Sequence, residues 1–276
     1  MILPKLQTTR ITPFIAASML INNTENRRLD PARVAKYHSD MTSGFWVFNG
    51  DPIRFDNGGN LIDGQHRLAA IVKSNLTFDF LVVEGLDRGC RKTIDTGKVR
   101  SPGDALHMFS DIGTKHSSIV ASSIIKIMLY EKGLTTASGN NMGIVSNSSV
   151  ESFYHNNSAK LDECLSVAVK LTTGHAVVLG KSQIISLYYI LSKIDEEEAL
   201  QFLSKLATGF NIDVDSNEAL LRSILVKNAM KAIKVSPLDL FYTVIKGWNK
   251  NRKGGCYSNE GNIRSRKGDG FKIAIS

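Results

Sequence analysis

Asp63, Gly64, Gln65, His66 and Arg67 stand side by side in this chain and form its most chemically suggestive run. The apolar pair Leu61-Ile62 precedes them and Leu68-Ala69-Ala70 follows, which reads as a strand end, a tight glycine turn and a helix start. Backbone N–H groups at a helix start attract anions, and the helix dipole reinforces them. Arg67 adds a planar fork suited to phosphate. His66 can donate a hydrogen bond or a proton. These residue types at this spacing predict a phosphate or nucleotide site. Gly64, Gln65, His66 and Arg67 are its binding set, with Gln65 placed to orient a water or a ribose. His66 and Asp63 are the candidate catalytic groups. Asp63 has three readings: it positions His66, holds a metal ion, or is an ordinary turn residue. The plainer alternative for Arg67 is an ion pair with a structural carboxylate.

Other residues join this candidate site. Asn26 and Arg27 lie before a helix start, where an asparagine often serves only as a cap. Asp95-Thr96-Gly97-Lys98 offers a carboxylate and a lysine to a nucleotide and Mg²⁺, so Asp95 is a second catalytic and metal candidate; alternatively Asp95 caps a turn. The Thr-Gly-Lys is not a Walker motif, because the earlier glycine is missing and Val99 replaces Ser or Thr. Arg88, Arg91, Lys92, Lys98 and Arg100 make this stretch a basic loop.

The elements around these residues follow from punctuation and periodicity. Thr12-Pro13 opens a helix over 13–22, and Asp30-Pro31 opens a second through about Ser43, ended by Gly44. Phe45–Phe48 and Pro52–Phe55 read as short strands, Asn57-Gly58-Gly59-Asn60 as a hairpin turn, and Leu61-Ile62 as the returning strand. A helix over 67–74 and a strand over 78–83 come next. Ser101-Pro102-Gly103-Asp104 signals another helix start with a capping-box acid. Beyond Ser117 the spacing is helical over 119–130, 150–156, 159–171, 181–192, 196–208, 218–232 and 237–249, with a polar loop over 135–149. Trp46 and Trp248 read first as packing residues, with base stacking as the alternative. The histidines His38, His107, His116, His155 and His175 share no metal-ligand spacing.

The order of these motifs resembles the ParB/sulfiredoxin-like superfamily, in its phage- and plasmid-borne branch. It runs Asn26-Arg27-Arg28-Leu29-Asp30-Pro31, a helix to Trp46, Asp51–Asn60, then Asp63-Gly64-Gln65-His66-Arg67, over roughly residues 10–110. Gly64, His66 and Arg67 match that family's phosphate-binding turn, and the resemblance implies that Asn26 and Arg27 help line the ligand cleft. Gln65 stands where sulfiredoxins carry a catalytic cysteine and segregation proteins a glutamate, a departure that argues against sulfiredoxin chemistry. The Asp-Gly-Gln-His-Arg wording is shared with proteins of DNA-modification gene clusters. The resemblance implies a ParB/sulfiredoxin-like phosphate- and nucleotide-binding domain over 1–112; with the helical spacing beyond it giving a helical domain over 113–249, and composition a basic flexible tail over 250–276, the expected fold is α+β. The resemblance also implies CTP or ATP with Mg²⁺ as cofactor.

Composition sets the outer bounds. The chain has 276 residues, a net charge of +8 and a pI of about 9.3, a bias toward polyanionic partners such as DNA. From Lys246 onward eight basic residues face only Glu260 and Asp269, in a stretch rich in Gly, Ser and Asn. Lys250, Arg252, Lys253, Arg264, Arg266 and Lys267 are therefore candidate nucleic-acid contacts. No apolar run reaches the ~18 residues that cross a bilayer, and the start lacks a signal-peptide pattern. Three scattered cysteines form no metal or disulfide framework. The expected location is the cytoplasm, of a host cell if the chain is phage-encoded, and a second copy of the chain is a further candidate partner. Three functions remain open: NTP-dependent DNA binding or an NTPase linked to DNA modification; a metal-dependent nuclease or phosphotransferase; and a non-enzymatic DNA-binding or host-takeover module.

Overall fold

A computed structural model gives the fold, describing residues 3–24, 26–94, 101–109, 114–134, 145–174, 177–265 and 274. The protein is α+β and mostly helical, with one four-stranded sheet and eleven α-helices among the described residues. The chain divides into two compact units, Met1–Arg100 with Gly143–Ser149, and Ser101–Met142 with Val150–Ser276. No helix among the described residues is long and apolar enough to cross a membrane.

The first unit contains β1 (Lys5–Ile11), α1 (Pro13–Ile21), α2 (Pro31–Thr42), β2 (Ile53–Asp56), β3 (Leu61–Asp63), α3 (Gln65–Ser74) and β4 (Phe78–Leu86). Its sheet runs β1-β4-β2-β3, with β4 antiparallel to β1, parallel to β2, and β2 antiparallel to β3. The caps read from the sequence are formed. Thr12 Oγ1 accepts from the Ile15 N–H, Asp30 Oδ1 accepts from the Ala32 N–H, and Gly44 leaves the helical region with φ +74°. The hairpin is tied by the Asp56 carboxylate, which accepts from the N–H groups of Gly58 and Asn60. Ile11, Ile53, Leu61, Leu68, Ile71, Phe80 and Val82 form the core between α1, α3 and the sheet. Burying each such side chain contributes about 1.5–3 kcal/mol.

Two expectations change here, and one strand was not expected. Phe45–Phe48 is not a strand: Trp46 packs edge-on to Tyr37 and against Phe80, while Val47 and Phe48 stay exposed and unpaired. The strand β1 had no apolar alternation to reveal it, because six of its seven residues face outward or half-outward on a sheet edge. The helix α3 starts at Gln65, two residues earlier than expected, because Gly64 serves as its N-cap.

The second unit holds α4 (Pro102–Phe109), α5 (Thr114–Glu131), α6 (Asn147–Thr172), α7 (Lys181–Leu191), α8 (Glu196–Thr208), α9 (Asn217–Ala229), α10 (Pro237–Arg252) and α11 (Glu260–Ile263). The capping box at Ser101 and Asp104 is formed in both directions. The helices expected over 150–156 and 159–171 meet within α6 at a break at Asn157, whose backbone is non-helical (φ −134°); its side chain donates to the Phe153 carbonyl and accepts from the Tyr189 hydroxyl. Trp248 is fully buried against Phe202, which settles its packing role.

The flexible tail expected over 250–276 does not describe residues 250–265. Arg252 ion-pairs with Glu198, Asn251 and the Gly255 carbonyl accept from Asn217, and Glu260 accepts from Ser223 and Lys227. Ile263 is fully buried. Several residues of this Gly-rich stretch find partners on α8 and α9, far away in the sequence, which spacing does not reveal.

Candidate phosphate site at the start of helix α3

The run Asp63–Arg67 sits where β3 turns into α3, and Gly64 makes that turn possible. Its φ is +103°, and a Cβ there would lie 2.5 Å from Ile53 Cδ1 and 3.4 Å from the Ile53 Cα. Only glycine combines that dihedral with so close a strand. No side chain caps α3, so the backbone N–H groups of its first turn are not covered from within the turn.

The polar residues of the motif turn inward. Gln65, His66 and Arg67 are 6%, 6% and 8% exposed. Gln65 accepts from Asn23 Nδ2 at 3.0 Å and donates to the Arg27 carbonyl at 3.1 Å. Asn26 donates to Asn23 Oδ1 and to the Leu61 carbonyl. His66 Nε2 accepts from the Asp30 N–H at 3.0 Å. The motif thus fastens the segment between α1 and α2 onto the β3–α3 turn. Gln65 orients this backbone instead of a water or ribose, because both ends of its amide are taken. Asn23, Gln65's partner, was missed by sequence reading; nothing in its neighbourhood marks an asparagine as a tether.

His66 is neutral at ordinary pH. Burial is the main cause that lowers its pKa, aided by the positive charges of Arg33 and Arg27 and opposed by Asp30 and Asp63. A ring that accepts at Nε2 carries its proton on Nδ1, so it is a hydrogen-bond donor there. The expected role as a general acid does not fit, because the lowered pKa leaves little imidazolium to give a proton.

Asp63 is clamped. Its Oδ2 accepts from both Arg54 and Arg67, the latter at 3.0 Å. Arg67 also donates to the Pro52 carbonyl at 2.9 Å. The plainer reading of Arg67, a partner for a structural carboxylate, therefore holds for one of its nitrogens. A metal role for Asp63 does not fit: two guanidiniums occupy the oxygen a cation would use and repel a divalent ion. Among the described residues no group of three His, Cys, Asp or Glu could hold a metal. Asp95, the other metal and catalytic candidate, lies outside the described residues.

A polar pocket of about 90 Å³ opens at this turn, lined by Arg33, Tyr37, Asp51, Pro52, Arg54, Asp63, Gly64, His66 and Arg67. Arg67 Nη1 is buried and has no hydrogen-bond partner among the described residues. Arg33 and Arg54 were not singled out in the sequence. Arg54 alternates with buried Ile53 and Phe55 on β2, a signal of period two that marks it as facing away from the core. Arg33 carried no such signal. Asn26 and Arg27 do not line this pocket; they serve the tether.

The basic residues expected to meet nucleic acid are dispersed. Arg88 is exposed at the start of a 3₁₀ turn (Arg88–Lys92). The side chains of Arg91 and Lys92 lie outside the described part of the structure, as do Lys98, Arg100, Arg266 and Lys267. Lys250 Nζ stands 5.4 Å from the Tyr257 ring centre, and Lys253 is exposed at the end of α10. The Arg264 carbonyl accepts from Lys246. Arg252 pairs with Glu198 and lies over the face of Trp248.

Comparison with protein-family models, with curated proteins and with solved structures finds no match for this chain.

Proposed function

We propose that the first unit holds the phosphate of a nucleotide, CTP or ATP, and that the protein is a ParB/sulfiredoxin-like, phage- or mobile-element-type protein that acts on DNA. The observation that carries this reading is Arg67 Nη1, a buried donor without an acceptor among the described residues, on a residue lining a pocket with two further guanidiniums. Leaving such a donor unmet costs about 1–3 kcal/mol, and an anionic oxygen removes that cost. Three arginines against Asp51 and Asp63 leave the pocket positive. In this reading Arg67 Nη1 and the first N–H groups of α3 bond the phosphate oxygens, and Arg33 and Arg54 neutralise its charge. The net charge of +8 supports a polyanionic partner, and the resemblance supplies DNA.

A second reading, a module that binds without turnover, is favoured by one observation. Both ends of the Gln65 amide, His66 Nε2 and Asp63 Oδ2 are held by internal bonds, which commits the turn's polar residues to holding the structure together.

Equilibrium titration of the full chain with ATP, GTP and CTP, with Mg²⁺ and with or without duplex DNA, tests both. Triphosphate binding that weakens roughly tenfold in Arg33→Ala fits one lost guanidinium–phosphate contact of about 1.4 kcal/mol. Failure of every triphosphate and of inorganic phosphate to bind sinks the nucleotide reading. DNA-stimulated phosphate release separates an NTPase from a binding module.

A further inference from the structure

In the second unit, α5 and α7 pack together and bring one lysine between two serines. Lys126 is 7% exposed, one turn beyond Ser122 on α5. Its Nζ lies 2.6 Å from Ser182 Oγ, 2.9 Å from Ser122 Oγ and 3.0 Å from the Ser122 carbonyl. The two hydroxyls are 3.1 Å apart, with Ser182 donating to Ser122. A buried lysine is ordinarily paired with a carboxylate. Among the described residues none bonds to this one, and burial pushes its ammonium down to about 8. The free amine is therefore populated near neutral pH, and the Ser182 hydroxyl is the closest group to it.

Ser182 stands at the second position of α7. The N-cap, Gly180, offers no side chain, and the space where its Cβ would stand is open. The N–H groups of Lys181 and Ser182 find no acceptor among the described residues. Ser122 and Ser182 are both half-buried while the amine is buried, so the hydroxyls are the reachable face of the cluster. A hydroxyl beside an amine of lowered basicity, at an uncapped helix start, has the parts of a nucleophile, its base and an oxyanion site.

We propose that Ser182 is a nucleophile toward carboxylic esters, with Lys126 as its base, Ser122 as the residue that orients the pair, and the start of α7 as the oxyanion site. Ser182 Oγ bonds to the carbonyl carbon while its proton passes to the Lys126 amine. The C–O bond to the leaving alcohol then breaks, and that oxygen takes the proton from the Lys126 ammonium. Water attacks the acyl-serine in the same way, giving its proton to Lys126 and releasing the acid and the Ser182 hydroxyl. This activity is independent of the phosphate site of the first unit.

The test is para-nitrophenyl acetate on the full chain, following nitrophenolate release and mapping acetyl groups by peptide mass spectrometry. A burst with one acetyl group on Ser182 is expected, absent in Ser182→Ala. Lys126→Arg keeps the charge and the reach but cannot accept a proton at neutral pH. It slows acetylation roughly a hundredfold or more. Acetyl groups on surface lysines with none on Ser182 overturn the proposal, as does an unchanged rate in Lys126→Arg. Should the lysine variant fail to fold, the wild-type chain in urea takes its place. Ser182 acetylation as fast in the unfolded chain as in the native one also overturns it.

Discussion

Asp63 carries more of the site than its place before a glycine suggests. One of its oxygens accepts from Arg54 and Arg67 together, and both guanidiniums line the pocket. Asp63→Ala leaves a nine-tenths-buried guanidinium without its counter-charge, a change that costs about 3 kcal/mol. Urea denaturation of the variant checks this, and a loss under about 1 kcal/mol would mean that the pair is solvated. His66 gives a pH signature. Its folded pKa is lowered from 6.5, so the unfolded chain takes up the proton first as pH falls. Its contribution to stability is complete above about pH 6.5 and is lost as pH drops below that toward the folded value. The unfolding midpoint at pH 5.5 is thus expected to fall relative to pH 7.5, by less in His66→Gln. Equal pH dependence in the two proteins would assign the loss to other groups.

At the scale of elements, the β3–α3 turn is where backbone and packing meet. A Cβ at position 64 meets Ile53 at 2.5 Å while the dihedral stays left-handed. Gly64→Ala therefore costs about 1–3 kcal/mol and moves the start of α3 away from β2. Phosphate binding should weaken with it, because the first-turn N–H groups and Arg67 shift together. Calorimetry against inorganic phosphate, beside a thermal melt, reads both effects; a destabilised variant with unchanged binding would place the anion elsewhere. The hairpin before the turn was readable in advance, since Asn57-Gly58-Gly59-Asn60 admits few backbones. The edge strand β1 was not, because an exposed strand has no apolar alternation. Nor was the bond that ties the break in α6 to α7, where the Asn157 side chain accepts from the Tyr189 hydroxyl.

Across the whole molecule, the proposed action on DNA predicts an association that the excess positive charge makes salt-sensitive. Several of the basic residues are already engaged, Arg252 by Glu198 and Lys227 by Glu260, so the salt slope should be shallower than the count of lysines and arginines implies. Affinity for a duplex measured from low to moderate salt is expected to fall steadily, and Lys253→Ala to reduce the slope by about one. Affinity independent of salt would remove DNA from the candidate partners. The sequence by itself determined the α+β composition, the helix starts at Pro13, Pro31 and Pro102, the glycine turn at Gly64 and the helical character beyond Ser117. Those features rest on caps, proline, glycine and local periodicity, all written within a few residues. Tertiary structure alone decided what the motif side chains do. Gln65 and His66 tether a distant segment, Asp63 joins two guanidiniums, and Arg33 and Arg54 enter the pocket from other elements. It also joined Lys126 to Ser182 across 56 positions and folded residues 250–265 onto their unit. Such pairings depend on which faces meet after packing, and no local propensity encodes them.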